Sequence, residues 1–325
     1  MRCASARSSA ASPACLVVFD PPMPNLSNSF SSALKAAQDA AGAQHYPQGA
    51  LYIVATPIGN LADIGLRALH VLGIADAIAC EDTRHTQSLL HAYGISKKAF
   101  AVHQHNEAEA AQQVIERLRA GERVAYASDA GTPAVSDPGA RLVAAVHGAG
   151  FRVIPLPGAS SVTAALSVAG AVDEHGAFVF AGFLPAKASE RDAFVGSIAA
   201  ESRAVVILEA PHRIEALAAA LAVLGDRKVT VARELTKQFE QVEAMTCASL
   251  HTWLAADSQR TRGEFVLVVH PQARVQSADE GLRVLGLLLA EMPLKIAVKL
   301  AAEITGAPRN ELYDAALKMK NGEGA

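Results

Sequence analysis

Short, unbroken apolar runs alternate along this chain with segments in which apolar residues recur every three or four positions. The first run, Ala50-Leu-Tyr-Ile-Val-Ala55, is continuous and β-prone, as a strand buried on both faces should be. Leu66, Leu69 and Leu72 follow at helical spacing behind Asp63 and Gly65, which can start a helix. Ala77-Ile-Ala-Cys80, Arg123-Val-Ala-Tyr-Ala127 and Val153-Ile-Pro-Leu156 repeat the strand pattern. Helical periodicity returns from near Ala140 and over residues 162–169. Strands alternating with helices over roughly 120 residues predict a parallel, doubly wound α/β domain.

The rhythm changes after Gly170 and the polar run Asp173-Glu-His-Gly176, which read as a linker. Phe178-Val-Phe180, residues 204–208, Val229-Thr-Val-Ala232, residues 241–245 and Phe265-Val-Leu-Val-Val269 are strand-like, and a helix follows Pro211 with Leu217, Leu221 and Leu224. More strands with fewer helices predict a second, mixed-sheet domain, and a cleft between the two would be a natural ligand site. From about Ala278 the pattern is purely helical. Leu282, Leu285, Leu288 and Leu289 mark one helix, and Leu294, Ala297, Val298, Ala301 and Ile304 a second that Gly306 closes. Pro308 with Leu312, Ala315 and Ala316 marks a third, and the set resembles a helix-turn-helix. Residues 1–48 are rich in Ser, Ala and Pro with little periodicity, and are expected to be disordered, with translation starting at Met23 as an alternative. The expected organisation is therefore 1–48 extension, 49–170 and 171–271 α/β domains, and a 278–320 helical tail.

Composition narrows the function classes. Of 325 residues, 51% are hydrophobic and 19% charged, with a formal net charge of -3, so no global basicity draws the chain to nucleic acid or an anionic membrane. An RNA-binding role would need a local patch. Cys3, Cys15, Cys80 and Cys247 show neither metal-like nor disulfide-framework spacing, which fits a reducing cytoplasm, and no apolar stretch approaches the ~20 residues of a membrane span. His103-Gln-His-Asn106 invites a metal reading, but no third ligand stands nearby and Asn106 with Glu109 also makes a helix start, so no metal is expected.

The chemistry concentrates where strands end. Ser128-Asp-Ala-Gly-Thr-Pro133 lies between a strand and a helix, and Gly131 allows a ligand to approach backbone without a Cβ in the way. Thr56-Pro-Ile-Gly-Asn60 and Pro157-Gly-Ala-Ser-Ser161 are loops of the same type, and Glu81-Asp-Thr-Arg-His85 packs polar groups at a third strand end. Each could be an ordinary turn or helix cap if it stood alone.

Taken in order, these loops with Ser136-Asp-Pro-Gly139, Pro155-Leu-Pro-Gly158, Gly182-Phe-Leu-Pro185, Pro211-His-Arg213, Ala232-Arg-Glu-Leu-Thr-Lys237 and Arg262-Gly-Glu264 resemble the tetrapyrrole-methylase-like (class III) methyltransferases. Within that family the chain looks like the members that act on ribosomal RNA, from about Gly49 to its end, tail included. The resemblance implies a two-domain class III α/β fold with a helical appendage, working as a cytoplasmic homodimer. It implies transfer of a methyl group from S-adenosylmethionine to the ribose 2′-hydroxyl of cytidine 1402 in 16S rRNA of the small ribosomal subunit. Carried over motif by motif, it implies cofactor contacts at Pro57, Asp129, Ala130, Gly131, Ser160, Ser161, Phe183 and Ala210. A ribose hydroxyl needs a base, for which Asp82, Glu234 and Lys237 are candidates, with Arg84, Arg213 and Arg233 available for RNA phosphates. Glu234 and Lys237 could equally be a surface ion pair. Three departures stand out: Gly65 where a Ser or Thr cap is common, Ala159 in place of a Pro, and Leu208-Glu-Ala210 in place of a Tyr-Glu-Ser-like sequence, which leaves a tyrosine contact in doubt. The alternatives are a corrinoid, porphyrin or protein methylase on the same fold, or a non-catalytic ribosome-assembly factor.

Overall fold

Strand β1, Ala50–Val54, sits second from one edge of a five-stranded parallel sheet and is buried as its unbroken apolar run requires. The computed structural model describes residues 30–102, 107–135, 139–172, 176–272 and 278–320. The sheet is completed by β2 (Ala77–Cys80), β3 (Ala99–Ala101), β4 (Arg123–Ala127) and β5 (Arg152–Leu156), in the order β3-β2-β4-β1-β5. Side chains alternate across it. Ala50, Tyr52 and Val54 enter one core with Leu69 and Leu72 of α2 (Leu66–Ile74) and Leu89 and Leu90 of α3 (Thr83–Ala92). Leu51 enters the opposite core with Val114 of α4 (Glu107–Arg119) and Leu142 of α5 (Gly139–Gly148). Helices thus cover both faces, the doubly wound arrangement expected.

The extension expected over residues 1–48 is helical from Ser31 to Ala41 (α1), a correction to the disorder expected there. Ala37 and Ala41 are buried, Leu34 packs on the α2 core, and Phe30 lies 5.6 Å from the Tyr93 ring. The stripe of Ala33, Leu34, Ala37 and Ala41 is helical in spacing, but in an Ala-rich background it carries little contrast. Residues 1–29, Met23 among them, lie outside the described residues.

The second sheet is mixed, in the order β6-β7-β10-β8-β9, from Phe178–Phe183, Ala204–Glu209, Phe265–Val269, Lys228–Arg233 and Gln241–Thr246. Only β6 and β7 run parallel, with a bulge between Phe180 and Gly182; the other pairs are antiparallel. One face packs on α7 (Ala188–Ala200), α8 (Ile214–Leu221) and α9 (Leu250–Ala255). The other face is covered by α6, Ser161–Ala169, which precedes the expected boundary at residue 170. Val162, Ala165 and Ala169 pack there against Val206, Val266 and Val268, and the buried Thr230 hydroxyl donates to the Ala169 carbonyl at 3.0 Å. The two expected domains are therefore one compact unit through His270, because a helix from the first half closes the sheet of the second.

A separate compact unit holds the tail helices α10 (Ala278–Glu291), α11 (Leu294–Thr305) and α12 (Arg309–Lys320). Leu285, Ala297, Val298, Ala301, Leu312 and Ala316 form its core. Gly306 ends α11 in the left-handed conformation, φ 72°, with its N–H on the Ala302 carbonyl. Among the described residues no helix is long and apolar enough to cross a membrane.

Candidate active site

Parallel strands bring their carboxyl ends to one edge of the first sheet, where open α/β sheets bind ligands. There the loops after β1, β4 and β5 are locked together. Thr56 and Gly131 exchange both backbone hydrogen bonds, at 2.9 and 3.1 Å. The Thr56 hydroxyl donates to the Ser128 carbonyl and the Thr132 hydroxyl to the Ala159 carbonyl, at 3.1 and 3.0 Å. Gly131 has φ +81°, and a Cβ there would stand 3.2 Å from Ile58 Cγ2; one on Gly158 would come 2.9 Å from the Ala55 Cβ. The Asp129 carboxylate accepts the Asp82 N–H at 3.0 Å, tying in the loop after β2. Pro57 is buried within this cluster, Asp129 is half-buried and Ala130 exposed. Ser160 is the N-cap of α6 but makes no side-chain capping bond, and Ser161 opens the helix. Phe183 and Ala210 stand at the ends of the neighbouring strands β6 and β7.

The Arg233–Lys237 loop reaches this edge through a glycine. A Cβ on Gly59 would fall 2.4 Å from Lys237 Cγ, so the lysine stem runs across the loop after β1. Its ammonium donates to Glu234 Oε1 at 2.9 Å and to Glu264 Oε2 at 3.2 Å. Glu234 Oε1 also accepts the Glu264 N–H at 2.9 Å, and its side chain fills the space that a Cβ on Gly263 would need. Glu234 and Thr236 both take left-handed backbone, φ 52° and 66°, a strain of the kind that concentrates at functional loops. Burial works to lower the Lys237 pKa, but the Glu264 and Glu234 carboxylates outweigh it and lift it above the ordinary value. The surface ion pair weighed for Glu234 and Lys237 is thus a partly buried cluster of three charges.

The other candidates resolve differently. Asp82 caps α3, accepting the Arg84 N–H at 2.8 Å, and the Arg84 guanidinium joins it at 2.8 Å. The Arg84 guanidinium, with the Arg84 N–H, holds the Asp82 carboxyl down at about 2. Arg84 itself is almost fully exposed. Arg213 pairs through Nε with the buried Glu209 at 3.1 Å and donates to the Leu184 carbonyl. Burial raises the Glu209 pKa against the opposing Ala210 N–H and Arg213 charge. Arg233 is buried, its guanidinium donating to the Arg262 and Phe239 carbonyls. Among the described residues no group of three or more His, Cys, Asp or Glu is placed to hold a metal, and His103-Gln-His-Asn106 lies outside them. The Arg262-Gly-Glu264 motif is legible in the sequence, but the place of Glu264 beside Lys237, and the room that Gly59 and Gly263 make for the Lys237 and Glu234 side chains, are not.

Known proteins are similar to this chain in sequence and in fold. The family model for Tetrapyrrole (Corrin/Porphyrin) Methylases matches residues 50–251, and that for the RsmI C-terminal HTH domain matches residues 275–320. Ribosomal RNA small subunit methyltransferase I of Pseudomonas aeruginosa is 48% identical over 278 residues, covering 84% of this chain and 98% of that protein. The protein of the same name from Vibrio cholerae is 50% identical over 274 residues, covering 82% and 94%. Among solved structures, diphthine synthase matches with a TM-score of 0.53 at 16% identity, covering 68% of this chain and 90% of that one. Cobalt precorrin-4 methyltransferase matches with a TM-score of 0.51 at 16% identity, covering 70% and 98%; both likenesses concern the fold.

Proposed function

We propose, from the premise that this chain belongs to the tetrapyrrole (corrin/porphyrin) methylase family, that it methylates the ribose 2′-hydroxyl of cytidine 1402 in 16S ribosomal RNA. The observation that carries this reading is the joint match: a methylase body over 50–251, an RsmI-type tail over 275–320, and relatives named for small-subunit rRNA methylation along nearly their whole length.

The strand-end loops fit S-adenosylmethionine. Gly131 and Gly158 let these loops pack closely, where a Cβ would meet Ile58 or Ala55, and the Thr56–Gly131 bridge ties two of the loops together. Pro57, Asp129, Ala130, Gly131, Ser160, Ser161, Phe183 and Ala210 are the residues that would hold the cofactor, which when bound supplies a methyl group on a positively charged sulfur. The protein's part is to fix the ribose oxygen in line with that methyl group and to exclude water, so positioning is its main contribution to rate. Arg84, almost fully exposed beside the Asp82 cap, is suited to an RNA phosphate, and Arg213 to bracing the β7 end through Glu209. Lys237, kept cationic by two carboxylates, would stabilise negative charge developing on the ribose oxygen. The enzyme works in this reading as a cytoplasmic homodimer on the small ribosomal subunit.

The test is incubation of the pure protein with labelled S-adenosylmethionine and small subunits that lack the modification. Label in 16S rRNA is expected. Label in protein, in a tetrapyrrole, or in nothing despite cofactor binding would refute the assignment.

A further inference from the structure

We propose that Glu264 accepts the proton of the ribose 2′-hydroxyl while the Lys237 ammonium holds the oxygen, an assignment that rests on the methyl-transfer reading above. Four observations converge on it. The Glu234–Lys237–Glu264 cluster carries two carboxylates and one ammonium, a formal charge of about -1, so one added proton leaves it neutral. The Asp82–Arg84 pair is already neutral and would become cationic. Within the cluster, Glu234 Oε1 is committed to Lys237 and to the Glu264 N–H, and the carboxylate is wedged over Gly263. Glu264 is reached by Lys237 through Oε2 alone, and its side chain is 39% exposed against 19% for Glu234. It is the more accessible of the two acids.

The cluster is also built toward the first sheet. Lys237 crosses Gly59, two residues beyond the proposed cofactor contact Pro57, and the buried Thr236 hydroxyl in the same loop has no hydrogen-bond partner among the described residues. The register that pairs Phe265 of β10 with Arg233 of β8 sets Glu264 and Glu234 side by side, with the Glu234 N–H on the Glu264 carbonyl at 3.0 Å. Glu264 is therefore held by its backbone, while among the described residues its carboxylate accepts from Lys237 alone, at 3.2 Å.

The step balances. As the 2′-oxygen forms its bond to the methyl carbon, the carbon–sulfur bond breaks, its electron pair stays on sulfur as a neutral thioether, and the hydroxyl proton passes to Glu264 and then to water. Lys237 keeps its proton throughout and stabilises the oxygen as negative charge develops on it.

The full-length chain tests this with Glu264→Gln and Glu264→Asp, which leave the backbone hydrogen bonds in place. In single-turnover methylation of small subunits, Glu264→Gln should lower the rate about 10²–10⁴-fold, the usual contribution of a positioned base. It should leave S-adenosylmethionine affinity within about threefold, because the proton acceptor acts in the transition state rather than in binding. Glu264→Asp should recover part of the rate. A Glu264→Gln variant with the wild-type rate overturns the assignment alone, and so does one that loses cofactor binding or unfolds, since either makes Glu264 structural. Wild-type protein that binds S-adenosylmethionine yet puts no label into RNA overturns the methyl-transfer reading and this assignment with it.

Discussion

At Gly59 a missing side chain lets two loops from different sheets meet. A Cβ there would lie 2.4 Å from Lys237 Cγ and 3.1 Å from the Leu235 carbonyl. Gly59→Ala should therefore push the lysine off its carboxylates, destabilise the fold by about 1–3 kcal/mol as other overpacked sites do, and slow methyl transfer more than it weakens cofactor binding. Urea titration and single-turnover kinetics measure the two effects. Gly131 is different, because its φ of +81° is closed to branched side chains. Gly131→Val should abolish S-adenosylmethionine binding in calorimetry while far-ultraviolet dichroism stays native. Glu209 supplies a pH test. Its folded pKa is raised, first by burial, so its contribution is fully present below the unfolded value of about 4.3 and is lost as pH rises through the folded value. Relative to Glu209→Gln, the wild-type chain should lose stability as pH climbs from about 4 toward neutrality; a constant difference in denaturation midpoint would contradict this. At this scale the sequence exposed the i,i+3 pair of Glu234 and Lys237, but not Glu264. That residue joins them through the β8–β10 register, thirty positions away, and register is a tertiary property.

Helix α6 shows what governs legibility at the scale of elements. Its existence was readable from periodicity, and its partner was not. Val162, Ala165 and Ala169 are small and apolar, and they suit close packing on either sheet; the structure seats them on the second. The buried Thr230–Ala169 hydrogen bond fixes that seating. Thr230→Val keeps the shape and removes the donor, so it should cost about 1–2 kcal/mol, read as a lower urea midpoint with the cofactor still bound. Strands β1, β2 and β4 announced themselves because burial on both faces leaves unbroken apolar runs, and the edge strand β5 through its Val153-Ile-Pro-Leu156 run. Strand β3 is only three residues long and half-buried, too short to stand out, and α1 hides in an Ala-rich segment. The tail helices were legible because Gly306 and Pro308 punctuate them.

Over the whole chain, the expected residues for holding cofactor and taking the proton all lie before His270, in one compact unit, and the tail helices form another with a core of their own. A chain ending at His270 should therefore bind S-adenosylmethionine within about threefold of the full-length affinity, a shift below 1 kcal/mol that calorimetry resolves. The net charge of -3 gives no general attraction to RNA, so recognition has to come from local groups such as Arg84. The central claim is that the methyl group lands on a ribose oxygen, and alkaline hydrolysis of labelled 16S rRNA from the methylation reaction tests it most directly. Hydrolysis of RNA proceeds through a free 2′-hydroxyl, so the account predicts label recovered in an alkali-resistant dinucleotide at cytidine 1402. Label released in a mononucleotide, as from a methylated base, would contradict it.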